Sequence, residues 1–163
     1  MKKQLLAAAL TAALATTSFA NAADTIKVGV ILGFTGPIES LTPDMGASAE
    51  LAFKEASDSG MLLGGRKIEA IRADSTCVDA SAATAAAERL ITSDKVVAIL
   101  GALTSTNTAQ VIAIADKKKI PVIASVATND KLTSRRTFAN RVCFTDSFQG
   151  EVVANYAFNT LGL

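Results

Sequence analysis

Residues 96–108 read VVAILGALTSTNT, in which an apolar run of strand length is followed by Gly101 and a turn rich in hydroxyl side chains. A short, continuous apolar run bounded by turn residues is typical of a strand buried on both faces. The hydroxyl-rich turn predicts the start of a helix, which we expect to end near Lys118. The segment therefore predicts a strand–loop–helix unit of a parallel sheet.

The same alternation continues on both sides of this unit. Thr42 and Pro43 predict a helix start, with Thr42 as the N-cap and Pro43 as the first helical residue. Asp146 is predicted to cap the last helix, with Gln149 three residues on as in a capping box. The predicted strands are 26–32 (IKVGVIL), 67–73, 96–100, 120–123 and 141–144, and the other predicted helices are 42–59, 79–93 and 146–160.

Strands and helices that alternate at these lengths predict an α/β fold. Parallel neighbours need crossover connections, and the crossover helices must bury their apolar sides against the sheet. We therefore expect an open parallel sheet with helices on both faces, built from right-handed strand–helix–strand units.

The first 22 residues have the pattern of a secretion signal. A cationic start, Met1-Lys2-Lys3, precedes an apolar stretch over residues 5–14 and the small-residue pattern Ala20-Asn21-Ala22. This pattern predicts a cleavable signal peptide of residues 1–22, a mature domain of residues 23–163 and a periplasmic location. The alternative is an uncleaved anchor, but a membrane span needs about 20 apolar residues.

Composition excludes several function classes. The chain has 16 Lys and Arg against 15 Asp and Glu, and loss of Lys2 and Lys3 with the leader would change its net charge from +1 to −1. This balance gives no electrostatic basis for binding nucleic acid. There is no histidine, so the commonest general base and metal ligand is missing. Cys77 and Cys143 are too few for a structural zinc site, and they could pair as a disulfide or remain separate thiols.

Motifs for cofactors and catalysis are also missing. Gly29, Gly33 and Gly36 are spaced G-x-x-x-G-x-x-G, which is not the dinucleotide fingerprint, and the sequence has no phosphate-binding P-loop or G-x-S-x-G elbow. Without histidine a Ser-His-Asp hydrolase is excluded. A Ser-Lys or cysteine enzyme remains formally open, although no spacing supports one. We predict no cofactor, no metal and no enzymatic activity.

Ligands of open α/β sheets bind beyond the carboxyl ends of the strands, where two loops rich in hydroxyl groups follow neighbouring predicted strands. The first contains Thr104, Ser105 and Thr106. Its side chains and the backbone N–H groups of the helix start could bind an anion such as a carboxylate, or they could simply cap the helix. The second contains Thr128 and Asn129, which could complete a site for a small zwitterion or form an ordinary turn.

Four segments in order, IKVGVILGFTGP, VVAILGALTSTNT, IPVIASVATNDKLT and RVCFTDSFQGEVVANYA, resemble the Leu/Ile/Val-binding proteins of bacterial ABC transporters. The resemblance implies the first lobe of a type I periplasmic binding fold, which would bind leucine, isoleucine, valine or a similar amino acid and serve an inner-membrane ABC permease. It implies that Ser105 and Thr128 bind the ligand carboxylate and that the Val126 carbonyl accepts from its ammonium. Leu103, Thr104 and Ala127 would line the pocket. A ligand sensor of the same fold is the alternative.

Two departures from that family are visible. In some relatives a cysteine near Cys77 pairs with one in the loop after the third strand, where this chain has Thr104. The family's chains are also more than twice as long, so the resemblance implies that the second lobe, the opposite wall of the ligand site, is absent. We expect one lobe to bind weakly and to expose apolar surface meant for the second.

Overall fold

The computed structural model of the protein describes residues 25–62 and 64–163. The predicted signal peptide, residues 1–22, lies outside the described residues. Within these described residues, five strands alternate with four α-helices, and short 3₁₀ and π segments extend two of the helices. The strands are β1 Ile26–Leu32, β2 Ile68–Asp74, β3 Ala98–Gly101, β4 Val122–Ala124 and β5 Ala139–Arg141; the helices are α1 Thr42–Asp58, α2 Ala80–Thr92, α3 Ser105–Ala115 and α4 Asp146–Tyr156.

All strand pairs are parallel, and the order across the sheet is β2-β1-β3-β4-β5. Because the first crossover goes to one side of β1 and the later ones to the other, right-handed connections place α1 on one face and α2 and α3 on the opposite face. Packing agrees: α1 lies on β1 and β2, while α2 packs against α3 and the other face. The α/β prediction is confirmed.

The core lies between the sheet and the α2–α3 layer. Its fully buried side chains include Ile31, Leu90, Ile99 and Ile112. The small residues of α2 allow close packing, and a Cβ atom at Gly29 would come 2.6 Å from Leu90 Cδ1. The α1 face is covered less completely, since Ile123 of β4 is 41% exposed.

Three local predictions are wrong. Thr42 is not the N-cap of α1 but its first residue, because its hydroxyl turns inward and donates to the carbonyl of Gly33 at 2.7 Å. The cap of α4 is Thr145, whose hydroxyl accepts from the N–H of Phe148, and not Asp146. Strand β5 ends at Arg141 because its partner β4 ends at Ala124, which is the residue opposite.

The C-terminal helix α4 lies apart from the core. All its large apolar side chains are exposed, among them Phe148, which is 57% exposed, and Tyr156, which is also 57% exposed. Among the described helices, none has the length and apolar character that a bilayer crossing requires.

Candidate functional site

Hydrogen bonds join the loops at the carboxyl ends of the five strands to one another. Because the strands are parallel, all these loops emerge at one edge of the sheet. The segment that ends β2 and follows it is hydrogen-bonded to the segments after β1 and β3. The loop after β4 is hydrogen-bonded to the segments after β3 and β5. The bonded pairs are Thr35 with Asp74, Cys77 with Thr104, Ser75 with Asn107, Ser105 with Asn129, and Asp130 with Ser147.

Asp74, the last residue of β2, connects the first two loops. Its carboxylate accepts from the hydroxyl of Thr35, from the N–H of Thr35 at 3.3 Å and from the N–H of Thr76 at 2.9 Å. Burial acts to raise the pKa of Asp74, but these hydrogen bonds outweigh burial and hold the pKa below its ordinary value of 3.8. The ionised carboxylate therefore stabilises this part of the edge.

Replacing Asp74 by Asn should give a pH-dependent loss of stability. A carboxyl with a lowered folded-state pKa contributes stability that is complete above its ordinary pKa and lost as the pH falls through the lowered value. D74N should thus be less stable than the parent at pH 7, and the difference should shrink below about pH 4. Urea unfolding followed by circular dichroism at pH 7 and pH 3 measures both values. An equal difference at both pH values would contradict the assignment.

Thr104 lies beside Cys77, as the resemblance implied for the two positions. Its hydroxyl donates to the Cys77 carbonyl at 2.9 Å, so a hydrogen bond joins the loops after β2 and β3. Cys77 is buried, which raises the pKa of its thiol, and both Cys77 and Cys143 are free thiols. The Thr104 hydroxyl therefore uses its proton within the protein.

Ser105 and the 125–129 loop meet, as the two-loop prediction requires. The N–H of Asn129 donates to the Ser105 hydroxyl oxygen at 3.3 Å, and Ser105 is the first residue of α3. A cleft of about 380 Å³ borders this contact. Its lining residues are Ser105, Thr106, Ala109, Ile112, Asn129, Lys131, Leu132 and Arg136. Two cations, Lys131 and Arg136, line the cleft. Arg136 is paired with Asp116 at 3.6 Å, so Lys131 is the cation that favours an anion there.

The other predicted site residues occupy the same edge with different exposures. Ala127 is buried, Leu103 and Thr128 are half-buried, and Val126 is 45% exposed. The Thr128 carbonyl accepts from the N–H of Asp146 at 3.1 Å. Ser105, Thr128 and Ala127 therefore lie in one connected group of loops, whereas Thr104 is committed to Cys77.

Two residues of this edge were not predicted. Asn107 is fully buried in α3 and donates from Nδ2 to the Ser75 carbonyl at 3.1 Å. Arg141 ends β5 and donates to the loop after β4. A single asparagine in a helix and a single arginine at the end of a strand carry no sequence signal, because their partners lie 8–32 positions away.

The polar groups at this edge of the sheet are of the kinds that bind small molecules. Within residues 25–62 and 64–163, no three metal-ligating side chains come together, and the edge presents hydroxyl groups, backbone N–H groups and the side chain of Lys131. Such an edge on a parallel sheet is typical of α/β lobes that bind small molecules. The chain belongs to the periplasmic binding protein family, which it matches over residues 25–163.

Individual proteins of known function are also similar to this chain. The chain is 30% identical to the Leu/Ile/Val/Thr-binding protein of Salmonella typhimurium, over 94% of this chain and 41% of that one. It is 31% identical to a branched-chain amino acid transporter substrate-binding protein from Streptococcus pneumoniae in complex with isoleucine, with a TM-score of 0.68 over 85% of this chain and 39% of that one. It also resembles an ABC transporter solute-binding protein from Rhodopseudomonas palustris in complex with 3,4-dihydroxybenzoic acid, with 27% identity and a TM-score of 0.72 over 83% of this chain and 36% of that one.

These matches confirm the resemblance to Leu/Ile/Val-binding proteins and the prediction that the chain is not an enzyme, because the family and its solved members are solute-binding proteins. The chain spans 33–41% of the length of the curated relatives it matches. Its solved relatives include one in complex with an amino acid and one in complex with an aromatic acid.

Proposed function

We propose that this chain is the N-terminal ligand-binding lobe, residues 23–163, of an ABC transporter substrate-binding protein for branched-chain or other aliphatic amino acids. Residues 1–22 would direct it to the periplasm, and an inner-membrane permease would receive the ligand. The observation that carries the proposal is the contact between Ser105 and Asn129, because it brings the two hydroxyl loops to one point at the ligand-binding edge of the sheet.

A carboxylate is the ligand group that this point suits best. Ser105 offers its hydroxyl and the N–H groups at the start of α3, where the helix dipole favours negative charge. In the proposed arrangement Thr128 adds a hydroxyl and an N–H, and the Val126 carbonyl accepts from the ligand ammonium. Leu103 and Ala127 would contact the remainder of the ligand, and Thr104 would support the pocket wall through its backbone.

The proposal that the ligand is an amino acid is more specific than the proposal that it carries a carboxylate. Isoleucine and 3,4-dihydroxybenzoic acid, the ligands of the two solved relatives, share a carboxylate and differ in everything else. A hydrogen-bond acceptor for an ammonium group would distinguish the two ligands, because only the amino acid carries an ammonium group. We place amino acids first because the Val126 carbonyl lies in the loop next to Thr128.

The proposal is tested by NMR titration of the ¹⁵N-labelled chain with leucine, isoleucine, valine and 3,4-dihydroxybenzoate. We expect at least one amino acid to shift the amide signals of Ser105 and Asn129, with a Kd on the order of 1 mM, since one lobe contacts only one side of the ligand. Ser105→Ala should weaken binding about tenfold through loss of a hydrogen bond to a charged group.

Ser48→Ala is the matched control, because Ser48 is exposed in α1 and its hydroxyl donates only to the Asp44 carbonyl. It should leave the titration unchanged. Binding of the aromatic acid alone would overturn the amino-acid assignment. Binding by neither class to a chain with a folded spectrum would overturn the site itself.

A further inference from the structure

The Arg141 guanidinium donates hydrogen bonds to four successive backbone carbonyls of the loop after β4. Its Nη1 donates to the carbonyl of Thr128 at 2.9 Å and to that of Ala127 at 3.4 Å. Its Nη2 donates to the carbonyl of Asn129 at 2.9 Å and to that of Asp130 at 3.3 Å. Nη2 also donates to the Thr133 hydroxyl at 3.0 Å. The planar fork of a guanidinium can reach several acceptors at once, which an ammonium cannot do in the same way.

The direction of these carbonyls determines the direction of the loop's N–H groups. In a trans peptide unit the C=O and the N–H of the next residue point to opposite sides. Carbonyls of Ala127, Thr128 and Asn129 that face Arg141 therefore turn the N–H groups of the three residues that follow away from Arg141. The middle unit demonstrates this, because the N–H of Asn129 donates to the Ser105 hydroxyl.

The positive charge of Arg141 also favours an anion on the far side of the loop. Among the ion pairs within residues 25–62 and 64–163, none includes Arg141, so its partners are neutral carbonyls and a hydroxyl. A charged donor polarises the peptide units that accept from it. Each polarised unit presents a more positive N–H on its far side, which favours an anion there.

We propose that Arg141 is the positioning residue of the ligand site: it holds residues 127–130 with their carbonyls turned inward, so that the N–H groups of Thr128 and Asp130 face a ligand carboxylate while that of Asn129 holds the Ser105 hydroxyl. Arg141 acts through the loop and does not touch the ligand. The inference rests on the proposed function, since it assigns the carboxylate end of the same site.

Arg141→Met tests the inference by removing the fork while keeping much of the apolar stem. Arg141→Lys is the second variant, which keeps the charge and guards against a folding failure. In both, we expect the ¹⁵N–¹H signals of Thr128, Asn129 and Asp130 to move, while the signals of β1 remain in place. The control is Arg135→Met, which removes the same charge from an exposed arginine that gives no hydrogen bond to this loop.

The second measurement is the preference for leucine over leucinamide, which lacks the carboxylate. We expect the parent chain and R135M to prefer leucine, and R141M to bind leucine about tenfold more weakly with leucinamide binding unchanged. A general loss of structure would weaken both probes equally and would therefore contradict a positioning role. Unmoved loop signals in R141M and R141K would also overturn the inference.

Failure of the proposed function would look different. If the parent chain bound neither leucine nor leucinamide, the amino-acid site would be wrong. The signals of residues 128–130 in the unliganded variants would still show whether Arg141 orients the loop, because that measurement needs no ligand.

Discussion

Gly101→Ala is expected to lower the free energy of unfolding by about 3 kcal/mol or more, the upper range for overpacking a core. Gly101 ends β3 with φ +118°, a backbone conformation that residues other than glycine rarely adopt. A Cβ atom there would lie 2.1 Å from the carbonyl oxygen of Ile31 and 3.0 Å from its carbon. Both are backbone atoms of β1, which pairs with Gly101, so neither can move without breaking the sheet.

Gly150→Ala is the matched control for this prediction. Gly150 lies in α4, and a Cβ atom there meets nothing within 4 Å. Alanine favours a helix over glycine by about 1 kcal/mol, so G150A should not lose stability. Urea unfolding followed by circular dichroism compares the two variants, and similar midpoints for both would show that the β1–β3 contact is looser than described. Because Gly101 precedes the Ser105 loop, G101A should also weaken ligand binding.

Asn107→Asp should destabilise the chain by several kcal/mol at pH 7, because it places a carboxylate in a fully buried position. Asn107 Nδ2 donates to the Ser75 carbonyl at 3.1 Å, and Oδ1 has no hydrogen-bond partner within the described residues. The carboxylate would thus face a carbonyl oxygen and gain no donor. Its place in the first turn of α3 favours negative charge by only about 0.3–1 kcal/mol, so the cost of burial exceeds the gain from the helix dipole.

The exposed Asn155 provides the comparison, since Asn155→Asp adds the same charge to α4, where the side chain meets water. N155D should change stability little. N107D should recover part of its loss on acidification, because burial raises the pKa of a carboxyl and protonation restores a donor toward Ser75. Thermal unfolding at pH 7 and pH 5 measures both effects. Equal melting temperatures for N107D and N155D at pH 7 would show that the Asn107 site is open to water.

The loop after β4 shows how far the site could be predicted. The two hydroxyl loops can be predicted to meet because they follow neighbouring strands, and the parallel sheet does bring them together. The individual roles of Ser105 and Thr128 come from the family resemblance. The role of Arg141 could not be predicted in this way. Its position depends on where β5 ends, and the strand ends three residues earlier than its apolar pattern indicates because β4 offers no further partner.

The helix ends show the same contrast between what the sequence predicts and what the tertiary structure decides. The sequence contains good capping residues at Thr42 and Asp146, and the helices begin within one residue of both. Which side chain caps was decided by tertiary contacts, since the Thr42 hydroxyl is drawn to the buried Gly33 carbonyl. Capping preferences are worth about 1 kcal/mol, which a buried hydrogen bond can match.

The alternation of apolar strands with alanine-rich helices was enough to establish a parallel α/β sheet, and the four family-like segments were enough to establish the family. Both depend on local residue patterns, which are visible along the chain. The sheet order, the pairing of Ser105 with Asn129 and the grouping of four carbonyls around Arg141 emerge only in the folded chain. They depend on which backbone groups lie within about 3 Å after the strands have paired, and no local pattern records that distance.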